Sequence, residues 1–130
     1  MDAESKIREI AKRCGNKDVA QSAAYYRFLM HHDPESVWCE IFDGVAFYFG
    51  STAKDHFNLV DIAVVSEMQG RGYGTRLLDR IKRRCERGGV RRITLRARKN
   101  SAAERFWRRR GAVRTGESKD GKDWKMEITF

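Results

Sequence analysis

Near the middle of the chain an apolar run, residues 56–65 (HFNLVDIAVV), leads within a few residues into the turn Gln69-Gly70-Arg71-Gly72-Tyr73-Gly74. The turn opens directly onto Leu77, Leu78, Ile81 and Cys85, which repeat at the spacing of one helix face and stop at Gly88-Gly89. A second apolar run, residues 90–97, follows. Strand, turn, helix and strand in this order make a crossover unit. Such a unit forces a parallel strand pair, because two strands joined through a helix run the same way. Glycines in the connecting turn let the backbone bend sharply and come close to a ligand, while the free amides of the first helical turn converge on one spot. The helix dipole favours an anion there. Ordinary turn chemistry explains the glycines equally well. A Walker loop is excluded, since no Gly-Lys-Ser/Thr is present. A dinucleotide fold would place the glycines after the first strand and an acidic residue about 20 positions on, where this chain has Arg91 and Arg92.

The remaining elements fit around that unit. Ile7, Ile10, Ala11 and Cys14 line one face of a first helix over residues 3–14, with Gly15 as its stop. Asp18 is placed to cap a second helix that reaches about Met30 and turns Val19, Ala23, Tyr26, Leu29 and Met30 to one side. Residues 36–42 and 45–50 read as strands of a hairpin turning at Asp43-Gly44, a pair tolerant of positive φ. Ala102, Ala103, Phe106 and Trp107 mark a helix ending at Gly111, and residues 112–130 form two strands around Asp120-Gly121. The expected fold is α/β: a single mixed central sheet, order ααβββαβαββ, with helices on both faces.

A length of 130 residues points to one domain over residues 1–130, and 41% hydrophobic residues with a single proline argue against disorder. No run approaches a membrane span and residues 1–9 lack the pattern of a secretory leader, so the expectation is a cytoplasmic chain with no membrane partner. Cys14, Cys39 and Cys85 are odd in number and widely spaced, which suits neither a disulfide framework nor a zinc site. They read as reduced, mostly buried thiols, and no metal is expected. The net charge of +9 is unevenly spread: residues 71–110 hold 16 Lys or Arg against Asp79, Glu86 and Glu104. Such a block signals a solvated helix face, an anionic cofactor or a polyanionic partner.

The turn QGRGYG followed by TRLLDRIK resembles the Gln/Arg-x-x-Gly-x-Gly/Ala signature of the GNAT superfamily of acetyltransferases, with wording closest to its histone acetyltransferase branch. Asn100, Ala103, Phe106 and Gly111 match the family's Asn-x-x-Ala helix that ends in Gly. A strand usually precedes the family's first helix, and none is legible here, so a trimmed sheet edge is expected. The resemblance implies acetyl-CoA as the acetyl donor and an amine as acceptor, probed first among proteins and peptides. It implies backbone groups of Ile62, Ala63 and Val64 on the pantetheine arm, Gln69 and the amides from Gly70 through Arg71, Gly72, Tyr73 and Gly74 to Thr75 around the pyrophosphate, Asn100 bonded to the pantetheine, and Phe106 packed on it. Arg71, Arg76 and one or two of Arg105, Arg108 and Arg109 would meet the cofactor's phosphates.

The resemblance breaks at the proton-handling positions. Where the histone branch has its basic Glu this chain has Asn58, and where many members have an acidic Tyr it has Trp107. An amine of pKa near 10.4 is charged at pH 7, so another group must take its proton. His56, two residues before Asn58 and on its strand face, Glu67 at the loop, and Asp61 on the opposite face are the candidates, with Tyr73 as a distant substitute for the acid. Because those two positions differ, a binding module on the same fold is the alternative to an enzyme. A third reading is nucleic-acid or acidic-protein binding through Arg80, Arg83, Arg84, Arg87, Arg91 and Arg92.

Overall fold

A computed structural model describes the whole chain apart from Met1 and Asn16 and the side chains of Lys17 and Asp18. The elements are α1 (Ala3–Arg13), α2 (Lys17–His32), β1 (Val37–Phe42), β2 (Ala46–Thr52), β3 (Phe57–Val64), α3 (Tyr73–Arg87), β4 (Arg92–Arg98), α4 (Ala102–Arg109), β5 (Val113–Glu117) and β6 (Asp123–Thr129). A single 3-10 turn, Ser66–Met68, links β3 to the glycine loop. The expected order ααβββαβαββ is the observed one. The second helix begins at Lys17, so Asp18 lies within its first turn instead of capping it, and its side chain is outside the described residues.

All six strands form one sheet in the order β1-β2-β3-β4-β6-β5. Only β3 and β4 run parallel, as the crossover through α3 requires. The β1–β2 hairpin turns at Asp43 and Gly44 with φ of 53° and 66°, the mirror-image turn that matches strand twist. Helices cover both faces. Ile7, Ile10, Val19, Ala23 and Tyr26 of α1 and α2 pack with Val37, Phe47, Phe49, Ala63 and Val65. On the other face Leu77, Leu78, Ile81 and Cys85 of α3 and Trp107 of α4 pack with Tyr48, Phe57, Leu59, Ile93, Leu95, Met126 and Ile128.

One irregularity in this sheet matters for the site. Gly50 pairs with Leu59, yet Phe49 pairs with Asp61, so Val60 is an extra residue on β3. Side-chain alternation therefore changes phase. Phe57 and Leu59 face α3 before the bulge, and Ile62 and Val64 face it afterwards, while Asp61 and Ala63 turn to the α1–α2 side. Simple alternation puts Asp61 opposite Asn58; the bulge puts both on one face.

Candidate active site

The two parallel strands part soon after they meet. Only Phe57 with Ile93 and Asn58 with Thr94 are paired, so from Leu59 onward the β4 side of β3 has no strand partner. Val65 donates its amide to Val45 O at 2.9 Å, which turns Ala63, two residues earlier, toward β2 as well. The backbone groups of Ile62 and Val64 then point into the split. This corrects the expectation for Ala63: its side chain borders the cavity, but its amide and carbonyl belong to the β2 ladder. Gln69 Nε2 donates to Val64 O at 3.1 Å, tying the glycine loop to the strand end.

The loop delivers the start of α3 to the same place. Gly70 and Gly72 have φ of 78° and 86°, in the left-handed region, and Gly72 caps α3 without any side-chain hydrogen bond. The first helical amide seen in the backbone ladder is that of Arg76, given to Gly72 O at 3.0 Å. Those of Tyr73, Gly74 and Thr75 precede it, as the first amides of any helix do. No acidic residue stands in the first turn of α3. A cavity of about 790 Å³ joins Ile62, Ala63, Val64, Met68, Gln69, Gly70, Gly72, Tyr73 and Gly74 to Phe106, Trp107, Arg105, Arg109 and Arg110 of the α4 region.

Phe106 closes one wall, and its Cζ would lie 2.9 Å from a Cβ placed on Gly74. Gly74 is thus required by the packing of α4 on α3 as well as by the turn. Arg110 was not legible as a site residue: its guanidinium lies 3.9 Å from the Phe106 ring centre, and Nη2 donates to Thr75 Oγ1 at 2.6 Å. It stands at the mouth of the helix start, where an anion would sit.

Other expected residues lie elsewhere. Arg76 stacks over Phe42 at 4.5 Å and Tyr73 at 5.2 Å, drawn to the β1–β2 hairpin and away from the cavity lining. Arg71, Arg108 and Thr75 do not line the cavity, and Arg108 lies 3.7 Å from Glu104. Asn100 is exposed outside the lining, and its backbone, at φ 59°, gives its amide to Glu104 Oε1 at 2.8 Å. Glu104 is only 3% exposed. Its other oxygen accepts from Arg114 Nη2 at 2.6 Å. These contacts, led by Arg114, hold its carboxyl below the usual range.

The candidates for proton transfer are not gathered at the split. His56 precedes β3, with Nδ1 3.0 Å from Asp55 Oδ1, and five residues of β3, one of them the bulged Val60, separate it from Ile62, a span of roughly 15–20 Å. Glu67 is exposed and bound by Arg13, whose hydrogen bond holds its carboxyl below the usual range. Tyr73 directs its hydroxyl to Asp43 at 3.5 Å. Asn58 accepts a hydrogen bond from Thr94 at 3.0 Å at the last paired position. Asp61, by contrast, follows the bulge and accepts a hydrogen bond from Tyr26, beside Ile62 at the split. Trp107, 4% exposed, borders the cavity and carries no titratable proton.

An unpaired strand edge, a helix start without acidic residues and three cavity-lining arginines together suit an elongated group with an amide-bearing arm and anionic phosphates. Coenzyme A has that form, so the residues present fit it.

Comparisons with known proteins agree. The model of the acetyltransferase (GNAT) family matches residues 5–112. No curated protein matches the chain. Among solved structures, the PaiA N-acetyltransferase of Thermoplasma acidophilum in complex with coenzyme A superposes with a TM-score of 0.82 at 12% identity, over 98% of this chain and 92% of that one. Ard1 of Thermoplasma volcanium gives 0.76 at 21% identity, over 98% and 93%. The ribosomal-protein-S18-alanine N-acetyltransferase of Escherichia coli gives 0.63 at 22% identity, over 79% and 75%.

Proposed function

Because the chain belongs to the GNAT family of acetyltransferases, and is an acetyl-CoA-dependent enzyme that acetylates an amine, we propose that its acceptor is an amine of a protein or peptide. Acetyl-CoA supplies the acetyl group as a thioester whose carbonyl carbon is open to attack and whose sulfur can leave. The chain's residues do the rest. Amides of the Gly70 to Thr75 segment, with Arg105, Arg109 and Arg110, hold the phosphates, and the backbone groups of Ile62 and Val64 hold and orient the arm. The split in the sheet carries this reading, because there the unpaired strand edge, the start of α3 and the arginines of the α4 region share a cavity.

Attack is direct. Burial pushes the Cys39 thiol up to about 12 and the Cys85 thiol up to about 11, so both stay protonated and poor nucleophiles near neutral pH. Proton removal falls to Asp61 or a water it holds, since His56 lies before β3 and Glu67 is engaged by Arg13. Asp61 takes one proton from the acceptor ammonium. The freed nitrogen would then attack the thioester that acetyl-CoA supplies, displacing its thiolate, and the nitrogen's second proton would pass through water to that thiolate. Trp107 contributes shape here and no proton.

The protein-acceptor reading draws support from the neighbour named for acetylating an alanine of a ribosomal protein. The likeness to the histone branch is confined to the loop wording and does not narrow the acceptor to lysine. Arg83, Arg87 and Arg91 border a separate groove of about 730 Å³ with Glu40, Arg80 and Glu86, and an acidic protein or nucleic acid is the fitting partner for it. The test is mass spectrometry of proteins from cells expressing the native chain or Gly72→Glu. Acetylated peptides that appear with the native chain alone identify the acceptor; none would sink the protein-acceptor reading.

A further inference from the structure

The face of the sheet opposite α3 and α4 carries a charge arrangement that bears on which amines this acetyltransferase accepts. Beyond the strands covered by α1 and α2, side chains of β4 and β6 stand opposite one another: Thr94 and Glu127, Arg96 and Lys125, Arg98 and Asp123. They share this face because Ile93, Leu95 and Ala97 point into the core on the other. The flanking rows are neutralised, with Arg98 Nε 2.9 Å from Asp123 and Arg92 Nη1 3.4 Å from Glu127. The middle row is not. Arg96 and Lys125 are both exposed and directly opposed, and among the described residues neither forms an ion pair. Like charges facing each other across a ladder are destabilising, and the carboxylates of the flanking rows are engaged by Arg92 and Arg98.

The row lies at the mouth of the split. Asn58 and Thr94 are the last paired residues of β3 and β4. The next position on this face is Arg96 on β4 and, because Val60 is the bulged residue, Asp61 on β3. Asp61 on the β3 bank and Arg96 on the β4 bank therefore flank the opening, with Lys125 one strand behind Arg96. Without the bulge, Asp61 would point into the α3 side and the pairing of charges would vanish.

Resting on the acyl-transfer reading, we propose that this mouth is the acceptor site and that it selects an amine with a negative charge close by, such as a peptide N-terminus followed by an acidic residue. Asp61 receives the ammonium, and Arg96 with Lys125 receives the anionic group, so the acceptor spans the split with its nitrogen on the β3 bank beside Ile62. Guanidinium and ammonium groups at an exposed rim give selectivity of the kind that salt erodes.

The experiment uses the full chain saturated with coenzyme A and two probes, the dipeptide amides Ala-Glu-NH2 and Ala-Lys-NH2. Coenzyme A affinity is measured first by calorimetry, for the native chain and for Arg96→Glu/Lys125→Glu. Dipeptide binding is then followed by NMR shifts, and, with acetyl-CoA in place of coenzyme A, acetylation of the same dipeptides by product analysis. The native chain should bind the Glu dipeptide at least tenfold more tightly than the Lys dipeptide, with the difference shrinking in high salt. The double reversal should invert the preference while coenzyme A affinity stays the same. Equal binding of the two probes, no binding of either, or a preference untouched by the reversal overturns the proposal. A native chain that fails to bind coenzyme A would overturn the donor site instead, and the first measurement shows that separately.

Discussion

Gly72 concentrates the site's requirements in one residue. Its φ of 86° favours glycine, and it caps α3 with no side chain of its own. A carboxylate there strains the turn, fills the approach to the first amides of α3 and repels the phosphates. Gly72→Glu should therefore abolish acetyl-CoA binding by calorimetry while leaving the far-ultraviolet dichroism of the fold in place; unchanged affinity would refute the pyrophosphate assignment. The motif around Gly72 was readable because its chemistry is local: sequence neighbours make the turn, the cap and the helix start. Arg110 was not. Its place over Phe106 and on Thr75 depends on how α4 docks against α3, and a run of three arginines, Arg108 to Arg110, gives no sign of which of them turn inward. Arg76 fails as a phosphate ligand for the converse reason, since the rings of Phe42 and Tyr73 offer its guanidinium a competing seat.

At the scale of elements, helical periodicity, apolar runs and Asp-Gly turns located the helices and strands, although β2 is buried on both faces and β5 is mostly exposed. What these signals did not show was the phase change within β3. The bulge comes from a non-local contact: a Cβ on Gly50 would overlap both the Phe57 ring and the Asn58 carbonyl oxygen, so β2 and β3 approach closely just before Val60 is set aside. Two-residue alternation is blind to an inserted residue, and for that reason His56 and Asn58 looked like the reactive face and Asp61 the wrong one. Gly50→Ala has no room for its methyl against backbone, and overpacking of this kind costs about 1–3 kcal/mol. The urea midpoint should fall accordingly with little change in slope. If the strands instead slide to relieve the clash, Asp61 loses its face and the acidic-acceptor preference declines in the folded fraction as well. An unchanged midpoint would mean that the close approach is not obligatory.

The arginines that border the two cavities fall into two districts, and the length of α3 sets their distance. Arg105, Arg109 and Arg110 serve the cavity at the helix start, whereas Arg83, Arg87 and Arg91 border the groove near its far end. Ten residues of helix lie between Tyr73 and Arg83, or about 15 Å at 1.5 Å per residue. That exceeds the Debye length of about 8 Å at physiological salt, so exposed charges in one district are largely screened from the other. Part of the arginine surplus over what a cofactor with about four negative charges needs therefore belongs to the second groove. Arg83, Arg87 and Arg91 form no ion pair among the described residues, while Arg80 and Arg84 already share Glu40, so reversing the free ones probes the surface without dismantling that contact. Arg83→Glu/Arg87→Glu should leave acetyl-CoA affinity within about twofold at 0.15 M salt, since the screened distance exceeds a Debye length. The same variant should elute from a heparin column at distinctly lower salt than the native chain. Were acetyl-CoA binding to weaken strongly instead, the two districts would be one field and the cofactor would account for the arginines after all. If retention on heparin did not change, the groove would be no more than a solvated helix face.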